Sequence, residues 1–163
     1  HSLDRRQRQM CIRDSSIREL RSLSFDHVFM NPPYFKKNAV KKSSIPSSNQ
    51  AKVETVPLSE WFSVARKRCK PKGKLTIIQR VERLPEIMES LGSHFGQITV
   101  QPISSFKDSS PKTIIVQATK NSSAAFTLLA PKTVHKRDSV SGKVVYEEEL
   151  NKILRSGYPL LLN

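Results

Sequence analysis

The apolar run Phe25-Asp26-His27-Val28-Phe29-Met30 opens directly into Asn31-Pro32-Pro33-Tyr34, and this junction limits the possible folds more than any other feature of the chain. Two consecutive prolines fix φ near about −65° and remove two backbone donors, so a strand that reaches Met30 cannot go on pairing beyond it. The run therefore reads as a buried strand. The tetrapeptide reads as a rigid stop at its carboxyl end, with outward-facing carbonyls as acceptors. Asn31 adds a side-chain amide oxygen and Tyr34 a flat ring.

These groups suit an amino nitrogen attached to an aromatic ring, whose delocalised lone pair makes it a poor nucleophile. If the Asn31 amide oxygen and the Pro32 carbonyl each accept one hydrogen of an exocyclic NH2, the nitrogen moves toward tetrahedral geometry. Its lone pair is then aimed outward, at an electrophilic methyl group. Tyr34 would hold the ring by stacking, a contact worth roughly 1–3 kcal/mol per base, as expected where a base leaves its stack. Asn-Pro-Pro also starts turns in many soluble proteins; the strand before it favours the chemical reading.

Downstream, the pattern alternates as in an α/β protein. Residues 35–56 read as a loop rich in Lys, Ser and Asn, with Lys36, Lys37, Lys41 and Lys42 close to the motif and suited either to phosphates around an inserted base or to a solvated surface. Leu58 to Cys69 reads as a helix with Leu58, Trp61, Phe62 and Ala65 on one face, and Trp61 as core. Lys74 to Gln79 reads as a strand entered through Pro71-Lys72-Gly73. Pro85 starts a helix whose Ile87, Met88, Leu91 and Phe95 share a face and which Gly96 closes. Ile98 to Ile103 and Lys112 to Thr119 follow as two strands, then a polar turn at Asp138-Ser139 and a short helix from Glu147 to Arg155 ended by Gly157. Arg80 falls at the strand edge where open α/β sheets place ligands. It is expected either to position RNA or to pair with Glu82.

The net charge is +14, of which residues 1–24 contribute +3, leaving +11 on the remainder. An excess of this size suits phosphate backbones. No run approaches the ~20 apolar residues of a spanning helix, so no membrane association is expected. Cys11 and Cys69 make no disulfide framework, which points to the cytoplasm. His27, His94 and His135 have no metal-ligand spacing, so no metal is expected, and His135 reads as structural. Residues 1–15 lack apolar periodicity and read as a leader that is non-native or disordered.

The junction does not stand alone. Trp61, Lys70-Pro71-Lys72-Gly73-Lys74-Leu75, Glu82-Arg83-Leu84, Phe95-Gly96 followed by Pro102-Ile103, and Ile114-Ile115-Val116-Gln117-Ala118 accompany it. Together, over about residues 24–160, they resemble the class I S-adenosylmethionine-dependent methyltransferases that modify exocyclic or amide nitrogens through Asn-Pro-Pro-Tyr. Within that group the chain is most similar to the bacterial adenine-N6 methyltransferases that act next to the anticodon of a valine tRNA.

The resemblance implies an α/β fold: the C-terminal half of a Rossmann-like class I methyltransferase sheet, ending in an antiparallel strand pair. It implies S-adenosylmethionine as methyl donor and tRNA as partner. Asn31, Pro32, Pro33 and Tyr34 would be the catalytic group, with Asn31 also lining the cofactor. Tyr34, Phe35, Lys36, Lys37 and Arg80 would face the substrate. In the family, a Gly-rich turn and an acidic ribose ligand precede the motif. Here Gly73, Gly92, Gly96, Gly142 and Gly157 all follow it, so residues 16–163 read as the C-terminal part of the domain, inactive without its cofactor half. Lys112-Thr113 stands where family members often carry an arginine. Methylation of a protein glutamine amide, methylation of guanine N2 in ribosomal RNA, and a non-catalytic RNA-binding module remain as alternatives.

Overall fold

The computed structural model describes residues 22–34 and 56–162. Residues 1–15, Phe35, Lys36, Lys37, Lys41 and Lys42 lie outside them.

Strand β1 (Phe25–Met30) pairs in parallel with β2 (Cys69–Arg80), setting Val28 beside Leu75 and Met30 beside Ile77. Between them runs helix α1 (Leu58–Arg68). Leu58, Phe62 and Ala65 recur every three or four residues and are buried, while Glu60 in the first turn and Arg66, Lys67 and Arg68 in the last complement the helix dipole. After β2, a 3-10 turn at Val81–Arg83 leads into α2 (Leu84–Leu91), with Pro85 in the first turn and Ile87 and Leu91 buried.

Strands β3 (Phe95–Ser104) and β4 (Thr113–Lys120) form an antiparallel hairpin, and β4 inserts antiparallel to β2. Two short strands, β5 (Thr127–Leu128) and β6 (Lys132–Thr133), pair in parallel with the outer edge of β3, giving a six-stranded sheet in the order β1-β2-β4-β3-β5 with β6 beside β5 on β3. A separate antiparallel hairpin, β7 (His135–Arg137) and β8 (Val144–Tyr146), precedes α3 (Glu148–Ser156). The fold is thus a mixed α/β sheet that contains the expected antiparallel pair, with β5 and β6 extending it by one further edge.

One core serves the sheet. Met30, Leu75, Ile77, Ile114, Val116, Ala118 and Val100 face α1 and α2, whose Leu58, Phe62, Ile87 and Leu91 meet them. Trp61 packs against this cluster, as expected for a core residue.

Three expectations are corrected. The β1 run is not buried: Phe25 is 42% and Phe29 62% exposed, because β1 lies at the edge of the described sheet and only Met30 and Val28 meet the helices. The helix from Pro85 stops at Leu91, where Gly92 takes a positive φ of 48°; Phe95 and Gly96 belong to β3. Pro71-Lys72-Gly73 lies inside β2 rather than before it, as a bulge where the register jumps between the Phe25–Cys69 and His27–Lys74 pairs.

Gly96 has a packing reason. A Cβ there would run into the Ser122 carbonyl oxygen, since the 121–126 segment lies against β3 at this point and Gln97 donates its N–H to Ala124 O. The His135 ring is packed between two aromatic rings, tilted against Tyr146 at 5.0 Å and Phe106 at 5.9 Å.

Candidate active site

Because β1 and β2 are parallel, their carboxyl ends share one edge of the sheet, and the Asn31–Tyr34 segment leaves β1 beside the end of β2. Asn31 is exposed, Pro32 is fully buried, and Pro33 and Tyr34 are half-buried. The prolines anchor the segment in the protein and leave the Asn31 side chain open to solvent.

The anchor is Gln79. Positions 75, 77 and 79 of β2 alternate toward the helices, so Gln79 occupies a place otherwise held by leucine and isoleucine, with no exposed surface. Its Nε2 donates to the Pro33 carbonyl at 3.2 Å and more weakly to the Pro32 carbonyl at 3.4 Å, while its Oε1 accepts the Arg80 N–H at 2.9 Å. A buried amide must meet such partners or destabilise the fold. The expectation that the prolyl carbonyls face outward is therefore corrected: both are turned toward Gln79. A carbonyl oxygen has two lone pairs, so Pro32 O retains one for a further donor.

Gln79 was legible only as a strand end. Its one signal in the sequence is a polar side chain at an inward position of an apolar strand, which requires an internal partner without naming it.

Arg80 donates from Nε to Glu82 Oε2 at 3.2 Å and from Nη2 to Oε1 at 2.9 Å, a two-pronged ion pair in which Glu82 is well exposed. The guanidinium holds the Glu82 carboxyl below its ordinary range, chiefly through these hydrogen bonds, and Arg80 is raised in return. Arg83, nearly buried, pairs the same way with Glu86 at 2.9 and 3.0 Å. Both arginines at this end of the sheet thus carry carboxylate partners.

Across β2 from Gln79, Thr76 Oγ1 meets His27 Nε2 at 2.8 Å and accepts from Gln117 Nε2 at 3.2 Å. This ties β1, β2 and β4 on the face opposite the helices. Among the described residues no group of three His, Cys, Asp or Glu side chains could hold a metal ion, and no helix is long and apolar enough to cross a membrane.

The sheet, its parallel β1–β2 pair and the inserted β4 partly match methyltransferase folds. A predicted O-methyltransferase, protein Atu636 from Agrobacterium tumefaciens, shares the fold with a TM-score of 0.60 at 24% identity, over 79% of this chain and 50% of that one. The chain spans half the length of that structure. M1.HpyAVI gives a TM-score of 0.41 at 16% identity over 77% of this chain and 64% of its own, and its SAM complex 0.41 at 14% over 83% and 58%. A likeness at that level carries no argument. No family model and no curated protein sequence matches the chain.

Proposed function

We propose that this chain carries the base-orienting side of an S-adenosylmethionine-dependent N-methyltransferase acting on adenine N6 in tRNA. The observation that supports this best is Asn31-Pro32-Pro33-Tyr34 at the carboxyl edge of β1, anchored through Gln79, with Asn31 exposed. An exocyclic amine seated there gives one hydrogen to Asn31 Oδ1 and one to Pro32 O. Tyr34 carries the ring, and Arg80, on the same edge, lies toward the RNA, as would Phe35, Lys36 and Lys37.

Catalysis on this account is positioning: two fixed acceptors and a stacked base bring the nitrogen lone pair into line, which replaces a random encounter by an oriented one. No strong base is required, since the methylated nitrogen is acidic enough to lose its proton to water. S-adenosylmethionine would supply the electrophilic methyl. Of the described residues, Asn31 fits its edge; a Gly-rich turn of the kind that cradles such a cofactor is not among them. On this reading the rest of the cofactor site lies outside the described residues.

The charge of +11 outside residues 1–24 favours a nucleic acid over a protein glutamine as the methyl acceptor. Titration of the 163-residue chain with S-adenosylmethionine tests the division of the site. No saturable binding is expected, and micromolar affinity would overturn it.

A further inference from the structure

The stretch Arg66-Lys67-Arg68-Cys69-Lys70-Pro71-Lys72-Gly73-Lys74 holds six cations in nine residues, and no acidic residue occurs between Glu60 and Glu82. The fold gathers this charge at one place. It comprises the last turn of α1 and the first half of β2, so it lies at the amino ends of the parallel strands. Lys120, at the end of β4, joins it by donating to the Arg66 and Cys69 carbonyls at 2.6 and 2.7 Å, closing the C-terminus of α1 with a cation.

Among the described residues, the exposed Lys67, Lys72 and Lys74 of this cluster have no carboxylate partner. Asp26 engages Lys70 at 2.9 Å, but Lys72 is bound to the Asn121 carbonyl, Arg68 donates to the Leu23 carbonyl, and Arg66 donates to His94 Nε2 at 2.6 Å. The Asn121 carbonyl fixes the Lys72 side chain without cancelling its charge. Arg66, Lys67, Lys72 and Lys74 are exposed. At the opposite end of the sheet, Arg80 and Arg83 are both matched by glutamates.

This distribution is the reverse of what a single-site enzyme requires. Open α/β sheets place small ligands at the carboxyl ends of their strands, whereas the positive field of the described residues is concentrated at the amino ends. Lys74 and Arg80 are six residues apart on β2, about 20 Å at the usual rise of a strand. A small molecule cannot bridge that distance; a polyanion can.

We propose that the α1–β2 corner is a second docking surface, one that grips the sugar-phosphate backbone of the RNA at a distance from the base presented to Asn31. The choice of tRNA as the polyanion rests on the proposed function. The corner contributes affinity without sequence information, and the Asn31–Tyr34 edge selects the base.

The test is the salt dependence of tRNA binding by the whole chain, followed by fluorescence anisotropy of a labelled unmodified transcript from 50 to 200 mM salt. Replacing Lys67, Lys72 and Lys74 together by glutamine should make the slope of log K against log salt shallower by about 2–3. The loss of affinity across that range should then be about 16- to 64-fold smaller than for the unaltered chain. A control with the same net charge, Lys136, Lys143 and Lys152 replaced by glutamine, should move the slope by less than 1. Tyr34→Ala should weaken binding equally at every salt concentration. An unchanged slope in the first variant, equal changes in both triple variants, or no binding by the unaltered chain would each overturn the proposal. If Tyr34→Ala has no effect while the corner variant behaves as stated, the docking surface stands and it is the reading of Tyr34 as a base platform that fails.

Discussion

Gln79 sets the geometry of the candidate site, for it is the side chain that joins the end of β2 to both prolyl carbonyls. Gln79→Ala would strip those carbonyls and the Arg80 N–H of a buried partner. The expected cost is about 1–3 kcal/mol of stability, read as a lower urea midpoint at constant slope. Gln79→Glu makes a sharper test. A carboxylate in that place faces two carbonyl oxygens, so burial and repulsion raise its folded pKa above its unfolded one. Its stability is fully present below the unfolded pKa and is lost as pH rises through the folded value. Relative to the unaltered chain, the variant should be closer to normal at pH 5 than at pH 7. At this scale Asn31, Pro32, Pro33 and Tyr34 were legible because prolines announce their backbone consequences; Gln79 was not, because a hydrogen bond across 46 residues leaves no local pattern.

At the scale of elements, β1 is held to the start of β2 by the Asp26–Lys70 pair and by the close approach around Gly73, where a Cβ would lie 2.9 Å from Lys70 O and 3.0 Å from Asp26 O. The Lys70 ammonium draws Asp26 below its ordinary 3.8, the Ser141 backbone N–H does the same for Asp138, and Lys152 holds Glu148 below 4.5. Each of these carboxyls, with Glu82, binds its proton less readily folded than unfolded. Their contribution is therefore full above the ordinary carboxyl range and is lost as pH falls through the lower folded values. Chemical denaturation should show a plateau above about pH 5 and a decline below about pH 4. Asp26→Asn should flatten part of that decline, and added salt should shrink it, since these groups are exposed. Gly96→Ala should cost about 1–3 kcal/mol by overpacking against Ser122, measurable as a lower Tm. Periodicity disclosed α1, β3 and β4 well, because each buries one face. It misplaced the end of α2, since Phe95 continues the apolar rhythm of Ile87 and Leu91 from a different element. It also overstated the burial of β1, because an apolar run does not say whether both faces are covered.

For the whole molecule, the sheet separates two kinds of chemistry. The carboxyl edge of β1 offers fixed acceptors and an aromatic ring, with its arginines matched by glutamates; the amino edge offers dense positive charge. Composition disclosed the total charge, but only the parallel pairing of β1 and β2 shows that most of the 66–74 cluster lies at the far end from Asn31. The direct measurement is transfer of labelled methyl from S-adenosylmethionine to a tRNA transcript by the protein translated from the whole reading frame that holds this chain, with and without Asn31→Ala. The account predicts label recovered as N6-methyladenine, and a turnover lower by about 10²–10³ in Asn31→Ala, the range for loss of one fixed polar contact at a reacting centre, with tRNA affinity nearly unchanged. Label on guanine N2 or on a protein glutamine, or equal turnover in the variant, would contradict it.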